Sequence, residues 1–412
     1  MKAIQLDEGI HWIGANISTN DLFEGIWPIP YGVTLNSYLV QGDKLAVVDL
    51  VRDWAGAPTY VLSQMQSVGA KPKDIDYVIL NHLEPDHTGW LDMIHIISED
   101  AKVLTTEKGA EMAKALYHLK DGDIDIVKSG DTLDLGQGKV LAFEEIPHVH
   151  WPETMATYEV NSKILFSCDA FGSFGALKGS IFDDEVPKAD YKYYEEETLR
   201  YYANIVGPFS GPVLKALEKV DSLDINMIAP SHGLIWRKDP QYIIEQYRAY
   251  ANYSKDYAEP EITFIWGSMY GNTERMVRAV LKGIAKEEVP VHIFHVPEDD
   301  VSFILAQAWK SAGLVFGMPT YEYKMFPPMR YVVDLLSQKQ ARYKKVFRFG
   351  SFGWSGGAER EFEEKIERMK WDLLESFDFK GSPTEEDLNK GMEFGQELAK
   401  QVKEIPRKFT PR

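Results

Sequence analysis

The sequence predicts two domains in series, a mixed α+β half followed by an α/β half built on an open parallel sheet. Three observations predict this. A chain of 412 residues is long for one hydrophobic core and of ordinary size for two. The first part carries short apolar runs of strand length, separated by turn residues, with helical patterns between them. The last part changes habit: apolar runs end in loops rich in glycine and hydroxyl groups, and the first such loop opens an amphipathic helix.

In chain order, residues 35–40 and 45–51 read as strands across a turn at Gly42 and Asp43, and residues 77–80 as a further apolar strand. Residues 110–117 have helical spacing, and residues 140–146 and 163–167 read as two more strands. The polar stretch YSKDYAEP (253–260) puts the join near residues 256–261, so the expected domains are 1–256 and 257–412. Residues 261–267 then read as a buried strand, and Met276, Val277, Val280, Leu281 and Ile284 recur at helical spacing beyond it. The runs at 313–316 and 346–349 lead into two further glycine-containing loops, and a last helix is expected from about Thr384.

The run at 77–80 ends in NHLEPDHTG (81–89), which brings His82, Glu84, Asp86 and His87 to one loop. His150, Asp169 and His232 follow downstream, each at the end of a short apolar stretch or in a Gly/Pro-marked turn. Imidazoles and carboxylates without a thiolate pair suit iron, manganese or zinc and not an iron-sulfur cluster, and a carboxylate can bridge two ions. Taken alone, the loop has a second reading as a surface turn in which Asp86 and His87 bond backbone groups. The downstream residues favour the metal. His148 lies off the pattern and reads as a satisfied strand histidine or a group behind a ligand, while Cys168 reads as an inert small residue at a strand end.

The loop SMYGNT (268–273) sits between strand and helix, where backbone N–H groups and the helix N-terminus face an anion. Ser268, Tyr270, Asn272 and Thr273 are therefore candidates for binding a phosphate, although a polar turn of this kind also serves simply as a helix cap. The loops GMPTY (317–321) and GSFGWSGG (350–357) fall beyond the carboxyl ends of later strands, where an open parallel sheet places its ligand. Glycines let the backbone approach a flat ring, and Trp354 offers a stacking face.

The metal loop resembles that of the metallo-β-lactamase superfamily, H-x-H-x-D-H, with Glu84 in place of the second histidine. That replacement, with HWPETM (150–155), FSCDAFG (166–172) and PSHGLIW (230–236), resembles the flavodiiron proteins. The resemblance implies a metallo-β-lactamase-like αββα sandwich followed by a flavodoxin-like doubly wound parallel sheet. It implies a first iron held by His82, Glu84 and His150, a second held by Asp86, His87 and His232, and Asp169 as the bridge. In some members the residue matching His87 turns away from the metal. It implies FMN bound by Ser268, Met269, Tyr270, Gly271, Asn272 and Thr273, by Pro319, Thr320 and Tyr321, and by Ser351, Gly353, Trp354, Gly356 and Gly357. The implied reaction is reduction of O2 to water or of NO to N2O at the diiron site. The implied assembly is a head-to-tail homodimer or a dimer of dimers. Trp151, Tyr201 and Tyr202 are candidates for the pocket wall, and read equally well as ordinary core aromatics. Many oxygen-reducing members have a histidine in the early loop, where residues 21–28 here offer Glu24 and Trp27, which leaves the choice between O2 and NO open.

One cysteine cannot supply the four thiolates of a rubredoxin-type iron site, so electrons are expected from an external donor such as rubredoxin. The net charge of −18 argues against nucleic acid as a partner. No apolar stretch is long enough to span a bilayer, and MKAIQLDE lacks a signal-peptide core, so a cytoplasmic protein is expected. Two other classes fit part of the pattern. A hydrolase of the glyoxalase II or lactamase type would use the metals to activate water, and a flavodoxin-like electron carrier would have lost its metals. Glu84 and the three loops speak against the first, the full ligand set against the second.

Overall fold

The computed structural model describes residues 2–410, which form two compact units. The first unit takes the chain up to Tyr201 together with Gly211–Arg248, and the second takes Tyr202–Ser210 and the chain from Ala249 onward. The division falls within the helix Pro240–Asn252, upstream of the polar stretch that composition marks. Tyr202–Ser210 goes with the second unit because Asn204 Nδ2 donates to Ser302 O (3.0 Å), Lys339 Nζ donates to Asn204 O, and the Tyr202 ring lies 6.0 Å from that of Trp309.

The first unit is built on two large sheets. One runs in the order Ile4–Asp7, Ile10–Trp12, Tyr38–Gln41, Leu45–Val48, Tyr77–Ile79, Lys102–Thr105, Ile124–Ile126. Its early strands pair antiparallel, and from Leu45–Val48 onward the pairing is parallel. The other, Thr132–Gly136, Lys139–Glu145, Met155–Glu159, Ile164–Phe166 and Met227–Ala229, is antiparallel except for its last pair. They stack face to face. The Tyr38 ring lies 4.9 Å from that of Phe166, and Thr157 Oγ1 donates to Asn81 Oδ1 (2.7 Å). Helices such as Ala57–Ser67 and Glu107–Tyr117 on one side, and Tyr191–Tyr201 and Ser210–Val220 on the other, complete the expected αββα sandwich.

Two expected strands are cut short, both next to the metal loops. Residues 35–40 split into Val33–Leu35 and Tyr38–Gln41 because Asn36 and Ser37 turn inward. Asn36 Nδ2 donates to Pro230 O (2.8 Å), and Ser37 Oγ donates to Asp49 O (2.7 Å). The next strand stops at Val48 because Asp49 takes a left-handed backbone with φ 51°.

The sheet of the second unit is parallel throughout, in the order Val291–His295, Glu259–Trp266, Ser311–Gly317, Lys345–Phe352, Asp372–Lys380. The chain therefore reverses its winding between Glu259–Trp266 and Ser311–Gly317, and a crevice opens there at the carboxyl ends. Asn272–Ile284 and the last helix, Glu385–Lys403, cover one face, with Met276, Val280, Phe347, Phe349, Leu398 and Val402 in the core. Thr384 caps the last helix in a reciprocal box with Asp387. The two helices touch backbone to backbone: a Cβ on Gly395 would meet Val280 O at 2.5 Å, and one on Gly391 would meet Met276 Sδ at 2.3 Å. Gly395→Leu is therefore expected to destabilise this unit by about 1–3 kcal/mol, read from its denaturant midpoint. An unchanged midpoint would show that the helix pair can spread at no cost. Among the described residues no helix is long and apolar enough to cross a membrane.

Candidate metal centre and ligand cleft

The loop after Tyr77–Ile79 is fixed at its root. Asn81 N donates to Asp49 Oδ1 (2.8 Å), and Asn81 O accepts from Met155 N (2.9 Å), so the loop leaves the first sheet tied to the second. His82, Glu84, Asp86, His87, His150, Asp169 and His232 are all buried, and their ligand-type atoms form two groups. His82, Glu84, His150 and Asp169 converge in one, and Asp86, His87 and His232 in the other.

Asp169 faces both. Its Oδ2 lies 3.4 Å from His82 Nε2 and 3.4 Å from His150 Nε2. Its Oδ1 lies 3.2 Å from His87 Nε2 and 3.5 Å from His232 Nε2. Glu84 Oε2 stands 3.3 Å from His82 Nε2 and 3.1 Å from His150 Nε2, and Asp86 Oδ2 stands 3.2 Å from His232 Nε2. Ligands about 2.1 Å from a shared ion, at octahedral or tetrahedral angles, lie about 3.0–3.4 Å apart, so these spacings are those of a donor set around a cation. Both Asp86 oxygens, His87 Nε2 and His232 Nε2 are buried without a well-formed hydrogen bond. Each such atom costs about 1–3 kcal/mol unless something satisfies it, and a metal ion does so. The residues present thus fit a pair of metal ions.

The electrostatics agree. Burial alone would raise the Glu84 carboxyl, yet the imidazoles of His150 and His82 hold it down at about 2. Burial opposes charge on Asp169 as well, and His87, His150 and His82 keep it well below the usual carboxylate range. For His150, burial is outweighed by Asp169 and Glu84, which push it up to about 10. The pocket keeps its carboxylates anionic and favours positive charge between them.

A second layer orients these side chains. His82 Nδ1 contacts Glu153 Oε1 at 2.6 Å, and the same oxygen accepts from Leu83 N (3.0 Å). His232 Nδ1 donates to Thr34 O (2.8 Å), which leaves Nε2 as the lone-pair nitrogen toward Asp86 and Asp169. His87 Nδ1 lies 3.7 Å from Asp49 Oδ2, and that oxygen also accepts from Ser231 Oγ (3.1 Å). Asp49 thus gathers the residues preceding His82 and His232 and faces His87. Such outer partners set the tautomer and direction of each imidazole. Sequence reading missed Glu153 and Asp49. The available signals were a carboxylate inside HWPETM and an acidic residue closing the apolar run LAVVD (45–49).

Of the expected wall residues, Trp151 stands edge-on to His82 (5.0 Å between ring centres), and Tyr201 OH donates to Asp169 Oδ1 (2.8 Å). Tyr202 is not part of this wall: it pairs with Ser210 Oγ (2.9 Å) in the second unit. In the early loop Phe23 approaches a candidate ligand, 5.6 Å edge-on from His232, and Glu24 accepts from Trp27 Nε1 (2.9 Å). His148 is exposed and outside both groups.

In the second unit the three loops meet around a cleft of about 320 Å³. Ser268, Met269, Tyr270 and Asn272 line it from the first loop, Pro319, Thr320 and Tyr321 from the second, and Ser351, Gly353 and Trp354 from the third. Gly271, Thr273, Gly356 and Gly357, also expected among the contacts, are not among the residues that line the cleft. Gly271 takes φ 86° ahead of Asn272–Ile284, whose first N–H groups have no side-chain cap. Thr273 Oγ1 is buried against Ser351 Oγ (2.9 Å), tying the first loop to the third from beneath. A Cβ on Gly357 would meet Tyr323 O at 2.1 Å, whereas Gly356 faces Asp378 across ordinary contact distance. The cleft also takes Glu322, Tyr323, Phe352, Ser355 and Gly381, which sequence reading did not find. Trp354 is 71% exposed with Tyr323 edge-on to it at 4.8 Å. With no lysine or arginine in the lining, a phosphate here would be held by N–H and hydroxyl donors.

A family model described as ODP family beta lactamase matches residues 33–233, and the flavodoxin model matches residues 265–395. The anaerobic nitric oxide reductase flavorubredoxin of Vibrio vulnificus is 33% identical over 402 residues, covering 96% of this chain and 79% of that protein. The Escherichia coli protein of the same name is 33% identical over 404 residues, covering 97% of this chain and 82% of that protein. Among solved structures, rubredoxin oxygen:oxidoreductase from Desulfovibrio gigas matches with a TM-score of 0.90 and 28% identity, covering 98% of this chain and 99% of that one. The flavodiiron protein from Giardia intestinalis matches with a TM-score of 0.90 and 28% identity, covering 98% and 97%. With both domain models in this order and relatives matched along nearly the whole sequence, the chain belongs to the flavodiiron protein family.

Proposed function

We propose that this oxidoreductase holds one iron with His82, Glu84 and His150, a second with Asp86, His87 and His232, and bridges them with Asp169. The observation that carries the reading is the Asp169 carboxylate, which turns one oxygen to each group. FMN would be held in the cleft, with the first loop offering donors for its phosphate and Trp354 a face for its ring. When bound, FMN supplies electrons in pairs or singly, and the iron pair supplies the site where O2 is reduced to water or NO to N2O. The chain's own residues set the conditions. Phe23, Trp151 and Tyr201 give the metal groups aromatic neighbours. Burial, with Asp169 beside it, pushes the Tyr201 phenol well above its ordinary value. Tyr201 therefore keeps its proton and holds Asp169 Oδ1 as a donor. A hydrolase is disfavoured by Glu84 among the imidazoles and by the cleft of the second unit.

The protein works in the cytoplasm as a head-to-tail homodimer or dimer of dimers and receives electrons from a small external donor, with rubredoxin the first to try. A donor that must dock, deliver and leave suits a small transient interface. Iron-replete protein is expected to carry an iron pair and one FMN per chain, and zinc as its dominant metal would sink the diiron reading. Reduction of O2, or of NO under anaerobic conditions, is expected only with an external reductant system. NADH alone matching the rate seen with rubredoxin and its reductase would overturn the donor assignment. Trp354→Ala is expected to weaken FMN by about 1 kcal/mol, several-fold in Kd, with iron retained. Unchanged FMN affinity would remove Trp354 as the platform.

A further inference from the structure

The first unit contains an apolar cavity whose wall includes the chain neighbours of two candidate ligands. It has a volume of about 30 Å³ and lies between the second sheet and the helix Ser210–Val220, with Ile146, Val149, Ala170, Phe171, Val213 and Leu217 in its wall. Val149 is the chain neighbour of His150, and Ala170 that of Asp169, so the cavity backs onto the segments that carry two of the ligand side chains. Its polar wall groups are already engaged. Ser167 Oγ donates to Ala170 O (2.7 Å) and Tyr247 OH to Gly172 O (2.7 Å). At the rim Lys219 Nζ donates to Glu144 Oε1 (2.6 Å) and Glu145 O (2.7 Å).

A buried water needs about two to four polar partners, which this wall does not offer, while the volume exceeds the roughly 10–15 Å³ that one small occupant requires. Apolar cavities accept xenon or small apolar molecules. A diatomic gas has little to lose on leaving water, because it gives up no strong hydrogen bond there. We propose that this cavity is a holding site for the gaseous substrate, O2 or NO, beside the metal centre. The proposal rests on the diiron reading for the identity of the gas, and on the cavity's wall for the site itself.

Crystals of the holoprotein pressurised with xenon test the site directly. Xenon is expected among Val149, Ala170 and Leu217. Ala216→Phe fills the cavity from the helix side, away from every candidate ligand. It should exclude xenon and raise KM for the gas several-fold, with kcat at saturating gas and the iron and FMN content retained. Ala216→Leu gives the same readouts, smaller, if the phenylalanine variant does not fold. Xenon absent from this cavity, or an unchanged gas KM in a folded variant that excludes xenon, overturns the proposal. Failure of the unaltered protein to reduce either gas would instead strike the diiron reading, and xenon occupancy would still decide whether the cavity takes an apolar gas.

Discussion

Asp169→Ala, expressed with ample iron, is expected to purify with both metal positions depleted and its FMN retained. Each metal group presents its own carboxylate and imidazoles, but one oxygen of Asp169 faces each, so a single truncation removes a ligand from both. It also removes the buried anion that would lie between the two cations, and it leaves Tyr201 OH without its acceptor in a buried wall, at about 1–3 kcal/mol for the unpaired group. His87→Ala takes one imidazole from one group and leaves Asp86, His232 and Asp169 in place. Iron per chain, measured on both variants after the same purification, should therefore be much lower for Asp169→Ala. Equal iron retention would mean that Asp169 is not shared. FMN content is the internal control, because the cleft lies in the other unit.

How far this was legible in the sequence follows from where each residue stands. The candidate ligands could be picked out because a buried strand that stops at a charged or imidazole-rich loop leaves a local trace: His82, Asp169 and His232 all follow apolar runs. The cleft could be read for a related reason. A parallel sheet delivers its loops to one edge, so glycine-rich segments after successive apolar runs must meet there. Tyr323 and Glu322 escaped because they enter the cleft on a small hairpin, Thr320–Tyr321 with Lys324–Met325, which no apolar pattern announces. Asp49, Glu153 and Thr34 reach the candidate ligands, or the residues beside them, only through the tertiary fold, and their partners lie far along the chain. Spacing cannot separate a carboxylate that binds metal from one that aims a histidine. The piece Tyr202–Ser210 was hidden for the same reason, since its attachment to the second unit depends on Ser302, Trp309 and Lys339.

Glu153 gives the second large effect, and it separates aiming from binding. Its Oε1 meets His82 Nδ1 at 2.6 Å and accepts from Leu83 N at 3.0 Å, so one oxygen fixes both the ring and the backbone of the ligand loop. That contact sets Nδ1 as the protonated nitrogen and leaves Nε2 free toward Glu84 and Asp169. Glu153→Ala should weaken iron at the His82 group by roughly 10- to 100-fold, the usual cost of losing such an orienting partner. Glu153→Gln keeps a carbonyl oxygen that can accept from both donors and loses only the charge, so its effect should be smaller. A chelator titration of iron retention across the three proteins reads the gradation, with FMN absorbance confirming an intact second unit. If Glu153→Ala gives up its iron at the same chelator concentration as the unaltered protein, His82 is aimed by the loop backbone alone, and the tie from Asn81 to Asp49 and Met155 becomes the element that sets the ligand's direction.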